Sequence, residues 1–145
     1  MPLGGHRFRV ILATAGPRGG NVRPREVAFS EVVLPSFGLG GDTSDEDSLD
    51  GGAMPVVKLG RGHTGSSELW NYFRAERDGE KRRVQLVAVD LLDEDGRAVT
   101  RWEFTGCRIV GLEFTPLEAN RSALLMETLI VAFETSEQKA LRRRR

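Results

Sequence analysis

The sequence predicts a single, mainly antiparallel β domain that carries one short helix. Three observations support this prediction. Apolar and polar residues alternate with a period of two in several runs, an Asp-Gly pair joins two of the longest runs, and only one segment combines capping residues with a helical apolar face. The chain has 145 residues, which is the usual length of one domain with one hydrophobic core.

The first two predicted strands lie in the amino-terminal part of the chain. Residues 6 to 13 alternate between apolar and more polar side chains and predict a half-buried strand. Residues 15 to 24 are rich in glycine, proline and arginine and predict a loop. Residues 27 to 34 then form a second apolar run, which predicts a strand that ends at Pro35.

A long segment of different composition follows. Residues 36 to 55 are rich in glycine, serine and acidic side chains, and such a segment cannot bury enough apolar surface to fold alone. Because strands are predicted on both sides, we interpret it as an extended arm of one domain, over about residues 36 to 57, rather than as a linker between domains. The next strand begins at Val56 and is expected to be broken by the glycines Gly60, Gly62 and Gly65.

The predicted helix covers residues 66 to 79. Leu69 and Phe73 share one face at helical spacing, which indicates a short amphipathic helix docked on the core. Asp78 and Gly79 provide a stop signal. Hydroxyl groups that could cap the first amide groups are present on Thr64, Ser66 and Ser67.

The second half of the chain carries the strongest β signal. Val84–Leu92 and residues 98 to 110 flank the turn at residues 93 to 96, and its Asp-Gly pair favours a hairpin because glycine accepts positive φ. Gly106, within the return strand, is interpreted as a β-bulge. Residues 124 to 134 predict a closing strand that is apolar on both faces, so its second face is expected to be covered by the helix or by a neighbouring subunit.

Composition excludes several classes of function. Lysine plus arginine equal aspartate plus glutamate at 21 each, so no bulk charge draws the protein to nucleic acid or anionic lipid. No apolar run is long enough for a membrane span. The residues that follow Met1 also lack the apolar stretch that a signal peptide needs. The sequence therefore predicts assembly in the cytoplasm.

No motif for catalysis, metal binding or cofactor binding is recognisable. His6 and His63 lie far apart in sequence and without partners at zinc-ligand spacing, and no phosphate-binding or nucleophile-elbow motif occurs. Cys107, the only cysteine, is expected to be a buried, inert thiol. We therefore predict no cofactor and a protein that is not an enzyme.

Three segments, taken in order, carry a resemblance: VVKLGRGHTGSSELWNYF, VQLVAVDLLDEDGRAVTRWEF and FTPLEANRSALLMETLIVAFE. Together they resemble the tube proteins of contractile phage tails and related extracellular injection particles. The matching positions are Leu59, Arg61, Gly62, Leu69, Trp70, Asp95, Gly96, Trp102, Leu117, Glu118, Ala119, Glu127 and Leu129. Phe133 stands where the family usually has a histidine.

The resemblance implies an antiparallel β-barrel or sandwich with one flanking helix, the tail-tube fold. It implies a structural subunit of a hollow inner tube, in which homohexameric rings stack and conduct cargo when a sheath contracts. The implied partners are further copies of the chain, a sheath protein, baseplate or spike adaptor proteins, and cargo in the lumen, either a protein effector or DNA.

Candidate contact residues follow from the arm and the closing strand. We expect the subunit interface to include Asp42, Asp45, Glu46, Asp47, Leu49, Val56, Val57, Met126, Ile130 and Ala132. Arg101 and Glu103 are expected to face the lumen or a neighbouring subunit. Residues 138 to 145 are expected to form a basic tail.

Two alternatives remain open. A ring of the same fold could initiate the tube or join it to the baseplate, and sequence separates that role poorly from the main tube. A stand-alone ligand-binding β-barrel would instead be a stable monomer with a pocket or a basic groove.

Overall fold

The computed structural model describes residues 7–15, 22–39, 55–81, 83–119 and 124–141. These residues contain one helix and nine strands. The strands are β1 (Arg7–Ala15), β2 (Val22–Val27), β3 (Glu31–Val33), β4 (Val56–Gly62), β5 (Val84–Leu92), β6 (Ala98–Thr105), β7 (Arg108–Phe114), β8 (Met126–Ala132) and β9 (Thr135–Ala140), and the helix is α1 (Glu68–Arg77).

The strands form two antiparallel sheets. The five-stranded sheet has the order β2-β1-β5-β6-β9, and the four-stranded sheet has the order β3-β4-β8-β7. The two sheets pack face to face as a sandwich, with the helix packed mainly against β7. The predicted mainly β, antiparallel architecture with one short helix is confirmed.

The core lies between the sheets and takes residues from most of the strands, but none from β9. Leu12 and Val87 come from the five-stranded sheet, and Leu59 and Leu129 come from the four-stranded sheet; all four are fully buried. Leu69 brings the helix into the same core. Strands that bury every second residue in this way obtain most of their stability from one shared apolar interior.

The predicted hairpin forms, but its return strand is shorter than expected. β5 pairs with β6, and Gly96 has a φ of +82° in the turn between them. The return strand ends at Thr105, so Gly106 is not a bulge as predicted. With a φ of +66°, it begins the crossing to β7, which belongs to the other sheet.

Three other strand predictions need correction. The apolar run at residues 27 to 34 is not one strand, because β2 ends at Val27 and β3 begins at Glu31. β4 continues through Gly60 to Gly62 instead of breaking there, since the β4–β8 pairing holds both glycines. The closing strand is β8 alone, and β9 follows as a separate edge strand of the other sheet, where it includes the first residues of the predicted basic tail.

The helix is confirmed, although only one of the three hydroxyl groups caps it. The Ser66 side chain accepts a hydrogen bond from the Glu68 amide at 3.0 Å. Ser67 occupies the cap position without a side-chain cap bond. At the other end, the Asp78 amide donates to the Arg74 carbonyl, which closes the last turn.

Candidate assembly surfaces

The helix, β4 and β8 meet at a polar cluster that we call the Arg61 corner: Arg61, His63, Glu68 and Glu127. Arg61 and Glu127 lie directly opposite each other in the β4–β8 pair. Arg61 Nε donates to Glu127 Oε2 at 3.2 Å, and Arg61 Nη1 donates to Glu68 Oε1 at 3.1 Å. One guanidinium group therefore joins two strands to the first turn of the helix.

The Arg61 corner is largely shielded from water. Glu127 is 2% exposed, and its Oε1 lies 3.1 Å from His63 Nδ1. Arg61 also donates to the Ala28 carbonyl at 3.4 Å. Its Nη2 is buried with no hydrogen-bond partner within the described part of the chain. The buried Glu127 carboxylate needs Arg61 and His63 as partners, because an unpaired charge in the interior is strongly destabilising.

A second ionic cluster, the Asp90 lock, consists of Arg9, Asp90 and Arg101 on adjacent strands β1, β5 and β6. Asp90 is fully buried under the two guanidinium groups. Arg101 Nε donates to Asp90 Oδ1 at 2.6 Å, and Arg9 Nη2 donates to Asp90 Oδ2 at 3.0 Å. Burial by itself would raise the pKa of Asp90, but the hydrogen bonds from Arg101 and Arg9 together outweigh burial and hold that pKa below its ordinary value.

The Asp90 lock belongs to a charged face on the outside of the five-stranded sheet. Glu103 lies on the same face and accepts a hydrogen bond from Lys139 at 2.9 Å. Arg101 and Glu103 thus lie on one surface of the five-stranded sheet. Both are partly exposed, and Arg101 is held in place by Asp90, whose hydrogen bond also raises the pKa of Arg101.

The outer face of the four-stranded sheet is less polar. Met126 and Ile130 are half-buried there, and Ala132 is buried. The helix buries Leu69 in the core between the sheets, so it is not the element that covers this second face. Val57 points the other way and is fully buried in the core, so it is not available to another subunit as predicted.

The comparisons with known proteins identify the family. A model of the family described as T4-like virus tail tube protein gp19 matches residues 40–137. The chain belongs to this tail tube family. Its proteins are structural tube components, and the matched range contains all three segments whose order predicted the resemblance. None of the curated proteins compared with the chain matches it.

Chains in several solved structures share the fold of this tail tube protein. A chain in the extended sheath-tube complex of a PVC extracellular contractile injection system matches with a TM-score of 0.65 and 13% identity, over 97% of this chain and 93% of that one. A chain in the anti-feeding prophage baseplate matches with a TM-score of 0.63 and 19% identity, over 97% of each chain. Hcp1 from Flavobacterium johnsoniae matches with a TM-score of 0.54 and 16% identity, over 91% of this chain and 95% of that one.

Several predicted contact residues of this tail tube protein lie outside the described residues: Asp42, Asp45, Glu46, Asp47 and Leu49, with the tail arginines 142 to 145. His6 also lies outside them. Val56, which is half-buried, lies at the end of β4 opposite Ala132.

Two ionic clusters were missed by sequence reasoning. The Asp90 lock was not predicted, although an aspartate within the apolar run of β5 is an unusual feature. The partners of Glu127 were not predicted either, although Arg61 and Glu127 had both been matched to the family pattern.

Three further properties of the described residues concern metal binding, a membrane-spanning helix and the reactivity of Cys107. They contain no group of three or more histidine, cysteine, aspartate or glutamate side chains placed to hold a metal ion. In the same residues, no helix has the length and apolar character needed to cross a membrane. Cys107 is buried, which raises its pKa to about 12, and its thiol donates to the Phe104 carbonyl. That thiol is a weak nucleophile at neutral pH.

Proposed function

We propose that this tail tube protein forms homohexameric rings that stack into the hollow inner tube of a contractile injection particle or phage tail. The observation that carries the proposal is the family match over residues 40–137. The likeness to a chain in a sheath-tube complex supports it at the level of fold. The function is mechanical: sheath contraction supplies the force, and the tube supplies a stiff conduit.

Ring closure requires a heterologous contact, in which one patch meets a different patch on the next subunit. The outer face of β8 is the proposed lateral surface, because the half-buried Met126 and Ile130, next to the buried Ala132, form an apolar strip on it that helix α1 does not cover. Val56 extends this strip on β4. Burial of the strip against a second copy would remove apolar surface from water, which stabilises association.

The arm is the second proposed contact. Its acidic residues Asp42, Asp45, Glu46 and Asp47, together with Leu49, are expected to become ordered on a neighbouring subunit or ring. Ordering such a segment costs conformational entropy, which burial in an interface offsets. Arg101 and Glu103 are proposed to face either the lumen or a neighbouring subunit, because both are polar and partly exposed on one sheet face.

The proposed partners are further copies of the chain, a sheath protein, baseplate or spike adaptors, and cargo carried in the lumen as a protein effector or DNA. Assembly in the cytoplasm into a phage-tail-like particle or virion completes the proposal. A tube-initiating or baseplate-adaptor ring of the same fold is the second candidate, since one of the structural relatives comes from a baseplate. A tube-initiating ring would appear in low copy number in purified particles, whereas the main tube subunit would be abundant.

Negative-stain electron microscopy of the purified protein over a concentration series tests the proposal. Six-fold rings or hollow tubes are the expected result. Deletion of residues 42 to 50 should leave rings intact but weaken their stacking. A monomer that persists at every concentration, with or without purified baseplate proteins, would contradict the tube function and favour a ligand-binding barrel.

A further inference from the structure

Exposed apolar side chains concentrate at the two ends of the four-stranded sheet. At one end, the chain leaves β3 after Val33, which pairs with Lys58, and continues to Phe37 and Leu39. Phe37 is 60% exposed and Leu39 is fully exposed. We call these two residues the arm base. Leu34 still packs against the core, so the arm base projects from an anchored point.

The opposite end of the same sheet carries an apolar recess. It encloses about 640 Å³ and is lined by residues 115 to 119 with Leu124 and Leu125. Leu117 is 83% exposed and Leu124 is 64% exposed. Leu124 lies over Gly62, the last residue of β4. The recess therefore adjoins the end of β4 that lies farthest from Val56.

The chain enters the arm base from the end of the four-stranded sheet opposite the recess. β3 runs antiparallel to β4, from Glu31 opposite Gly60 toward Val33 opposite Lys58. The chain is thus heading away from the recess when it reaches the arm base. Two different apolar patches at opposite ends of one sheet suit a head-to-tail contact between copies, which is heterologous and repeats without closing.

We propose that the arm base of one copy inserts Phe37 and Leu39 into the apolar recess of the copy in the next ring. This inference rests on the proposed tube and names the surface that the start of the arm would bind. Six residues, from position 34 to 39, reach at most about 20 Å, so the contact requires adjacent rings to be in direct contact. The two surfaces are chemically alike: an aromatic ring and a leucine would enter a recess whose lining includes three leucines, a proline and an alanine.

Crosslinking between two single-site variants of the full chain tests the insertion. Leu39→Cys protein is mixed with Leu117→Cys protein, assembled, and treated with a short bismaleimide; the buried thiol of Cys107 reacts slowly. Dimers are expected in stacked rings at a level at least tenfold above either variant alone. Trp70→Cys, an exposed position on the helix, replaces Leu117→Cys in the control mixture and should give only background crosslinking.

The same samples are imaged so that two failures can be told apart. Stacked rings whose Leu39→Cys and Leu117→Cys mixture crosslinks no better than the control would overturn the insertion and leave the tube intact. Equal crosslinking in isolated, unstacked rings would also overturn it, because the contact would then be lateral. If no stacked rings form from the unaltered protein, the proposed function fails and the insertion fails with it.

A second measurement uses substitutions. Burying one leucine side chain contributes enough that its loss changes an association constant about tenfold or more. Leu39→Ser should therefore raise the protein concentration needed for stacking about tenfold while single rings persist. Leu141→Ser alters another exposed leucine, at the end of β9, and should change that concentration less than twofold. Equal effects of the two substitutions would contradict the proposal.

Discussion

Replacing Glu127 by glutamine isolates the charge that holds the Arg61 corner together. The substitution keeps the size of the side chain but removes the negative charge paired with Arg61 at 3.2 Å. Breaking a buried ion pair by removing one partner costs about 3–5 kcal/mol. Arg61 keeps Glu68 at 3.1 Å, and the glutamine oxygen still accepts a hydrogen bond. The decrease in the free energy of unfolding should therefore lie at the lower end of this range, about 3 kcal/mol, which corresponds to a fall of about 10 °C in Tm for a chain of this size.

Urea unfolding of unassembled protein, followed by tryptophan fluorescence, measures this loss. Glu113→Gln is the matched control, since Glu113 is an exposed glutamate on the neighbouring strand β7, and it should cost less than about 0.5 kcal/mol. The double variant Arg61→Met with Glu127→Leu should lose less than the sum of the two single variants, because no buried charge is left unpaired. Strict additivity, or a Glu127→Gln loss no larger than that of the control, would refute this account.

Three further predictions follow from the described contacts. Asp90→Asn should lower the free energy of unfolding at neutral pH by about 2–4 kcal/mol. Because the folded-state pKa of Asp90 is lowered, this difference between the two proteins should be full above about pH 5 and should shrink as pH falls below the ordinary value of 3.8. A difference in unfolding free energy that stays constant down to pH 2 would contradict the Asp90 lock. Gly106→Ala should cost more than Gly65→Ala in urea unfolding, since both glycines have positive φ but only at Gly106 would a Cβ meet Glu134, at 2.7–2.9 Å; equal costs would exclude that clash. Cys107 should react with a thiol reagent at pH 8 at least a hundredfold more slowly in the native protein than in urea, and rapid native labelling would show that the thiol is accessible.

The sequence predicts the elements whose patterns are local. The hairpin between β5 and β6 is recognisable because the Asp-Gly turn and the flanking apolar runs lie close together in the chain. The helix is recognisable because Leu69 and Phe73 share one face, and Leu69 is indeed in the core. The alternation in β8 also predicts its inward residues correctly, since Leu129 and Val131 are fully buried.

The features that sequence reasoning missed depend on partners far away in the chain. β9 has a polar sequence and is mostly exposed, so no apolar alternation marks it; its pairing with β6 defines it. At Gly106, a β-bulge and a crossing between sheets both use a positive φ, and only the pairing of β7 with β8 in the other sheet distinguishes the two. The partners of Asp90 lie 81 and 11 residues away, a pairing that local patterns do not specify.

The two buried carboxylates of the described residues have a common consequence for strand pairing. Asp90 ties together three neighbouring strands of the five-stranded sheet, and Glu127 ties two strands of the other sheet to the helix through Arg61. A slip of one residue in strand pairing would turn either carboxylate to the opposite face and leave its arginine without that partner. Apolar residues alone tolerate such a slip more readily where both faces of a strand are apolar, as in β8. We infer that the ionic clusters specify strand register in each sheet, and the Glu127 and Asp90 variants test this because a stability loss without any change in hydrogen-exchange protection of the paired strands would be inconsistent with it.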